Sequence, residues 1–159
     1  MAHCDRVVMA NLAQTVNVLQ SVLLTEGDKV VCTPTYHVFD LYKAHQNAQA
    51  VDCFVEGNEV GADEWKMSQV IASASQKDGV ITLTAANIAE NDAADITVAI
   101  EGVCAANVTA RILQGEIHQY NDFENAPLEV KEFTGVAIEN GQLKMTLPAC
   151  SVVEVTIKA

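Results

Sequence analysis

The chain has 159 residues, half of them apolar, and 9 Lys and Arg stand against 21 Asp and Glu for a formal charge of −12. That is enough apolar material for a domain with its own core, and it excludes a disordered or low-complexity polymer. A field this negative repels phosphate backbones and anionic membranes, so no nucleic acid is expected as a partner; no membrane is expected either, because no apolar run reaches the roughly 18 residues a span needs.

In chain order, residues 7–10 form a short continuous apolar run rich in β-branched side chains, the pattern of a strand buried on both faces. It ends in amides, at Asn11 and Gln14. Residues 16–24 are apolar without a clean period, and 25–28 (Thr-Glu-Gly-Asp) signal a turn. Thr33 is placed to cap a helix with Pro34 at its first position, and Val38, Leu41, Tyr42 and His45 recur at helical spacing, which predicts a helix over 34–46.

After Asn47 the pattern changes to alternation. Residues 69–74, 80–86, 96–100, 108–113, 128–133, 142–147 and 152–157 read as strands, with 50–55 as a possible eighth, punctuated by Asp78-Gly79, Asn91-Asp92, Glu101-Gly102, Asn140-Gly141 and Pro148. Short strands at this spacing predict an antiparallel two-sheet sandwich. Residues 114–126 are too polar and irregular for a strand and read as a long crossing loop.

The five cysteines, Cys4, Cys32, Cys53, Cys104 and Cys150, are odd in number and widely spaced, mostly with apolar neighbours. They read as buried free thiols, which favours a cytoplasmic compartment, and their spacing does not suit a structural zinc site. Residues 1–6 lack the basic and apolar regions of a secretory signal.

Two blocks carry a resemblance: residues 5–14, Asp-Arg-Val-Val-Met-Ala-Asn-Leu-Ala-Gln, and 33–39, Thr-Pro-Thr-Tyr-His-Val-Phe. Together with 121–127, Asn-Asp-Phe-Glu-Asn-Ala-Pro, and the terminal 147–153, they resemble the end of the family-51 glycoside hydrolases, the α-L-arabinofuranosidases. The resemblance covers the whole chain. It implies a mainly β fold, a jelly-roll-like antiparallel β-sandwich preceded by the last β/α unit of a TIM barrel. Residues 1–48 are then the last strand and helix of the (β/α)8 catalytic barrel, and 49–159 the C-terminal β-sandwich domain.

Retaining glycosidases need two carboxyls about 5 Å apart. In the family both catalytic glutamates precede the strand at residues 7–10, so this chain is expected to carry no catalytic residue and to be inactive alone. Glu56, Glu59, Glu64, Glu116, Glu124 and Glu154 read as solvated surface. Gln14 stands just past a strand end, where barrel enzymes build their active-site rim, and its amide can both donate to and accept from sugar hydroxyls. The resemblance implies that Gln14 contacts the arabinofuranose in the cleavage subsite, while Asn11 and Asn17 are expected to satisfy loop backbone. His37 and His45 lie on one helix without a third ligand, and His3 and His118 are unaccompanied, so no metal site is expected. Tyr36, Phe39 and Tyr42, at helical spacing, read as barrel-to-helix packing.

The expected function is therefore the C-terminal part of a retaining enzyme that removes terminal non-reducing α-L-arabinofuranosyl residues from arabinan, arabinoxylan or their oligosaccharides, without a cofactor. The alternative is a non-catalytic carbohydrate-binding or structural sandwich; aromatics at 5% weigh against binding. Apolar residues among 1–48 that lose their barrel partners should pack on the sandwich or on a second copy, so a homo-oligomer is expected.

Overall fold

A computed structural model describes residues 3–12, 14–19, 21–62, 64–102 and 107–158. Strands β1 (Leu23–Glu26) and β2 (Lys29–Cys32) make a hairpin, closed at Gly27 with φ +60°. Helix α1 (Pro34–Tyr42) follows and tightens into a 3-10 turn at Lys43–His45. Then come β3 (Gln49–Val51), β4 (Glu59–Ala62), β5 (Trp65–Ser68), β6 (Val70–Lys77), β7 (Val80–Asn87) and β8 (Ala94–Val98). The remaining strands are β9 (Asn107–Gln114), β10 (Lys131–Glu132), β11 (Val136–Glu139), β12 (Gln142–Leu147) and β13 (Ser151–Lys158).

A six-stranded antiparallel sheet, ordered β10-β9-β13-β7-β6-β3, packs on a three-stranded antiparallel sheet, β11-β12-β8. The core between them follows from the period of two in the sequence. In β13, Val153, Val155 and Ile157 point inward to meet Leu83 and Ala85 of β7, Ala110 and Ile112 of β9, and Leu143, Met145 and Leu147 of β12. The alternate residues of the large sheet face the other way and meet α1. There Leu41 is fully buried against Leu113 and Leu128, with Val38, Tyr42, Val130 and Val152 around it. The stripe expected at 38, 41, 42 and 45 is thus the face that docks on the sandwich.

The strands at 69–74, 80–86, 96–100, 108–113, 142–147 and 152–157 fall on β6, β7, β8, β9, β12 and β13. The one expected at 128–133 shrinks to β10, because Leu128 is held by Asn121 and Val130 turns toward Leu41. The possible strand over 50–55 is the short β3. The crossing loop is pinned by buried Asn121, whose Nδ2 donates to Leu128 O (2.7 Å) and Cys32 O (2.9 Å) while its Oδ1 accepts from Leu128 N–H (2.9 Å).

Residues 7–10 do not form a strand. They have no assigned secondary structure and no ladder partner, and Val8 is 97% exposed. A parallel barrel strand draws its hydrogen bonds from neighbouring strands, and none lies beside it among the described residues. Of the irregular stretch at 16–24 only Leu23 and Leu24 enter the first strand of the hairpin; among its other described residues are bends, a turn and the isolated bridge at Val16.

Candidate functional site

The segment carrying Gln14 is tied down immediately after that residue. Thr15 O accepts the N–H groups of Val22 and Leu23, both at 3.0 Å, and Val16 bridges to Leu23. Asn17, at φ +53°, then clamps Thr25: its Nδ2 donates to Thr25 O (3.1 Å) and Oγ1 (2.9 Å), and its Oδ1 accepts from Thr25 N–H (2.8 Å). Asn17 therefore satisfies backbone groups, as expected of it, but those of strand β1 rather than of a loop. Asn11 is exposed.

From the hairpin the path continues to α1. Thr33 occupies the N-cap position with Pro34 at the first turn, yet its hydroxyl does not cap the helix. It donates instead to Ser21 O (2.7 Å) and Val22 O (3.0 Å), the latter also accepting Thr33 N–H (3.1 Å). Gln14 stands exposed at the start of this braced unit. Val7, Met9, Leu12, Tyr36 and Phe39 are exposed as well. Of the residues expected to find new cover, Val38 and Leu41 do so on the sandwich and Val7, Val8, Met9 and Leu12 do not. Of the three aromatics read as barrel packing, Tyr42 lies on the sandwich instead, because its position on the helix places it beside Leu41.

Two polar contacts fix α1 to the large sheet. Arg111 of β9 donates from Nη1 to Asp40 of α1 (2.9 Å) and from Nε to Glu154 of β13 (2.9 Å), with a second, shorter contact from Nη2 to the same Glu154 oxygen. Lys43 beside Asp40, joined by Arg111, holds that carboxyl below its ordinary range against the opposing effect of burial. Burial works against the Arg111 charge, but its hydrogen bonds to Glu154 and Asp40 outweigh it and keep the guanidinium above its ordinary value. Glu154 is accordingly not solvated surface: it is buried on the helix side of β13, where only Arg111 makes its charge tolerable. The other five glutamates read as surface, Glu56, Glu59, Glu64, Glu116 and Glu124, are exposed.

The second contact is His45, with Nδ1 2.7 Å from Ser75 Oγ on β6 and Nε2 2.9 Å from Thr84 Oγ1 on β7. Burial pushes its pKa below the ordinary histidine value. His37 instead lies edge-on to Tyr36, so the two helix histidines do not converge. Among the described residues no three His, Cys, Asp or Glu side chains gather as metal ligands.

The cysteine reading needs correction. Cys4 and Cys53 are exposed and Cys32 and Cys150 only partly covered, because they lie in loops and at strand ends rather than at inward positions; Cys104 lies outside the described residues. No helix among the described residues is long and apolar enough to cross a membrane. Trp65 and Phe54 are exposed, but on the β4–β5 hairpin and the segment before it rather than as a platform on either main sheet.

Comparison with known proteins agrees with this architecture. The chain is 40% identical over 162 residues to an intracellular exo-α-L-arabinofuranosidase of Bacteroides ovatus, a match that covers 98% of this chain and 31% of that protein. It superposes on the crystal structure of the GH51 arabinofuranosidase from Xanthomonas axonopodis pv. citri with a TM-score of 0.93 at 34% identity, over 99% of this chain and 32% of the other. The Thermotoga maritima α-L-arabinofuranosidase, solved as an arabinose complex, shares the fold at 22% identity, with a TM-score of 0.85 over 99% of this chain and 35% of that one. The chain thus spans about a third of the length of these relatives. The model of the α-L-arabinofuranosidase C-terminal domain matches residues 1–151, and the chain belongs to that family.

Proposed function

We propose that this chain acts as the C-terminal portion of a retaining α-L-arabinofuranosidase, in which residues 1–48 close the catalytic barrel and residues 49–159 form the supporting sandwich. The substrates are terminal non-reducing α-L-arabinofuranosyl groups of arabinan, arabinoxylan or their oligosaccharides. Gln14 holds the sugar through its amide, and the two carboxyls that cleave the bond come from outside this chain. An intracellular location belongs to the same proposal, on the strength of the Bacteroides ovatus relative's name.

The observation that carries the reading is the exposed apolar run at residues 7–12, shortly before Gln14. Val8 at 97% and Met9 at 74% exposure have the composition of a buried strand, yet they lie open directly before a polar residue whose following backbone is rigidly braced. Such a segment gains its cover and its ladder from neighbouring barrel strands. Until that happens, residues 7–12 offer an apolar surface through which the isolated chain self-associates.

The test is reconstitution within a longer enzyme. With the barrel portion present, release of 4-nitrophenol from its α-L-arabinofuranoside should be restored, and Gln14→Ala should cut kcat/KM by about 1–3 kcal/mol, the worth of a lost polar contact. Unchanged kcat/KM in that variant removes Gln14 from the site.

A further inference from the structure

Three residues after Gln14 the chain reverses direction at Asn17. The backbone there is left-handed, with φ +53°, a conformation that residues other than glycine seldom adopt and that asparagine tolerates best. Asn17 N–H donates to Leu23 O (3.1 Å) and Ser21 N–H to Val18 O (3.0 Å), so residues 17–23 close on themselves. The Asn17 side chain then reaches across to Thr25, where its Nδ2 donates to O and Oγ1 and its Oδ1 accepts from N–H. One amide thus commits its donors and its acceptor to a single residue of β1, which the hairpin in turn pairs with Val30.

The clamp matters more to geometry than to stability. Asn17 is exposed, so water replaces its hydrogen bonds when they are lost, and each contributes only about 0.5–1.5 kcal/mol net. Its geometric effect is larger. Thr15 O, bonded to Val22 and Leu23 N–H, and the Asn17 clamp hold the chain one and three residues after Gln14. The hairpin that they hold runs through Thr33 and Pro34 into α1, whose Leu41 is buried on the sandwich. Gln14 is therefore placed from a packed element through two fixed points. Three residues of extended chain span about 10 Å, so a tilt of about 10° at the reversal carries Gln14 through nearly 2 Å. A misplacement of about 1 Å in a group that orients a substrate can cost about a hundredfold in rate.

We propose that Asn17 is a positioning residue: by clamping Thr25 it fixes the reversal after Gln14, and it acts on the sugar only through the Gln14 amide. Thr25 is its partner in that role. The inference rests on the proposed function, in which Gln14 holds the arabinofuranosyl group; the clamp itself does not.

The test is a double-mutant cycle in the enzyme that carries the barrel portion on the same polypeptide, read as kcat/KM on 4-nitrophenyl α-L-arabinofuranoside. Asn17→Gly keeps the left-handed backbone accessible and removes only the clamp, and it should lower kcat/KM by about tenfold with the circular dichroism spectrum unchanged. In a Gln14→Ala background the same substitution should change kcat/KM by less than about twofold, because the group it positions is gone. Thr25→Val removes the Oγ1 contact and leaves the two backbone ones, so it should cost about threefold, again only while Gln14 is present. This milder variant decides the question if Asn17→Gly does not fold. Losses that multiply with that of Gln14→Ala, as a general structural defect would give, overturn the proposal, and so does an unchanged kcat/KM in Asn17→Gly. The two failures are separable. Gln14→Ala without effect removes Gln14 from the site and this inference with it, whereas an impaired Gln14→Ala with no coupling to Asn17 refutes the positioning role alone.

Discussion

Leu41→Ala should destabilise the isolated chain by about 3–5 kcal/mol. Leu41 is 0% exposed and lies where α1 meets Leu113 of β9 and Leu128 of the crossing loop. Trimming the isobutyl group to a methyl removes three carbons and forfeits about 2.4 kcal/mol of transfer free energy at about 0.8 kcal/mol per CH2. A cavity term adds to it, because the surrounding residues are held from three directions and relax only in part. The total is a large share of a domain stability of about 5–15 kcal/mol. Urea unfolding followed by circular dichroism reads it directly, and thermal unfolding should show a fall of about 6–20 °C in Tm. Phe39→Ala is the internal control, since Phe39 is on the same helix but 55% exposed, and it should change stability by less than about 0.5 kcal/mol. A loss under about 1 kcal/mol for Leu41→Ala, or equal losses for the two variants, would refute the docking of α1 on the large sheet.

Arg111→Met should cost about 1–3 kcal/mol by leaving Glu154 without its cation; the figure lies below the range for a fully buried pair because the guanidinium is 41% exposed, and adding Glu154→Gln should recover much of it in a double-mutant cycle. His45 has a folded pKa below its unfolded value, so its contribution to stability is present above about pH 6.5 and is lost as pH falls through the folded value. Urea midpoints measured from pH 7.5 down to 5 should therefore fall, and His45→Gln should flatten the decline; a slope of the opposite sign contradicts the buried, neutral imidazole. Asp40, held low chiefly by Lys43, contributes stability above about pH 3.9 that disappears on further acidification, and Asp40→Asn should remove that part of the acid limb. Light scattering of the isolated chain should show self-association that Val8→Asp and Met9→Asp reduce, since both side chains are exposed; a strict monomer at micromolar concentration contradicts it.

Most of the sandwich was legible because its information is local. Ile81-Thr82-Leu83-Thr84 and Val153-Glu154-Val155-Thr156 alternate, and in the structure they are adjacent strands of one sheet with Glu154 opposite Thr84. The same alternation misled on Glu154: a polar residue facing away from one core was read as solvated, whereas α1 covers that face and Arg111 supplies the charge. The β4–β5 hairpin was hidden by Gly57 and Gly61. The second of these is required, since at φ +118° a Cβ there would lie 2.0 Å from Trp65 O. Residues 7–10 have the composition of a barrel strand, but a parallel ladder is made by other strands, so no sequence pattern within 7–10 can build it alone. Gln14 was found through its block and its place after an apolar run; the bracing by Thr15 and Asn17 depends on the β1–β2 hairpin, which residues 16–24 did not reveal.

The most direct measurement is the initial rate of hydrolysis of 4-nitrophenyl α-L-arabinofuranoside by the purified chain alone, and again with the preceding barrel portion of the enzyme supplied on the same polypeptide. The account predicts no turnover above the uncatalysed rate in the first case and full retaining hydrolysis in the second. Turnover by the 159-residue chain alone would contradict it, as would undiminished activity of the barrel portion with these residues removed.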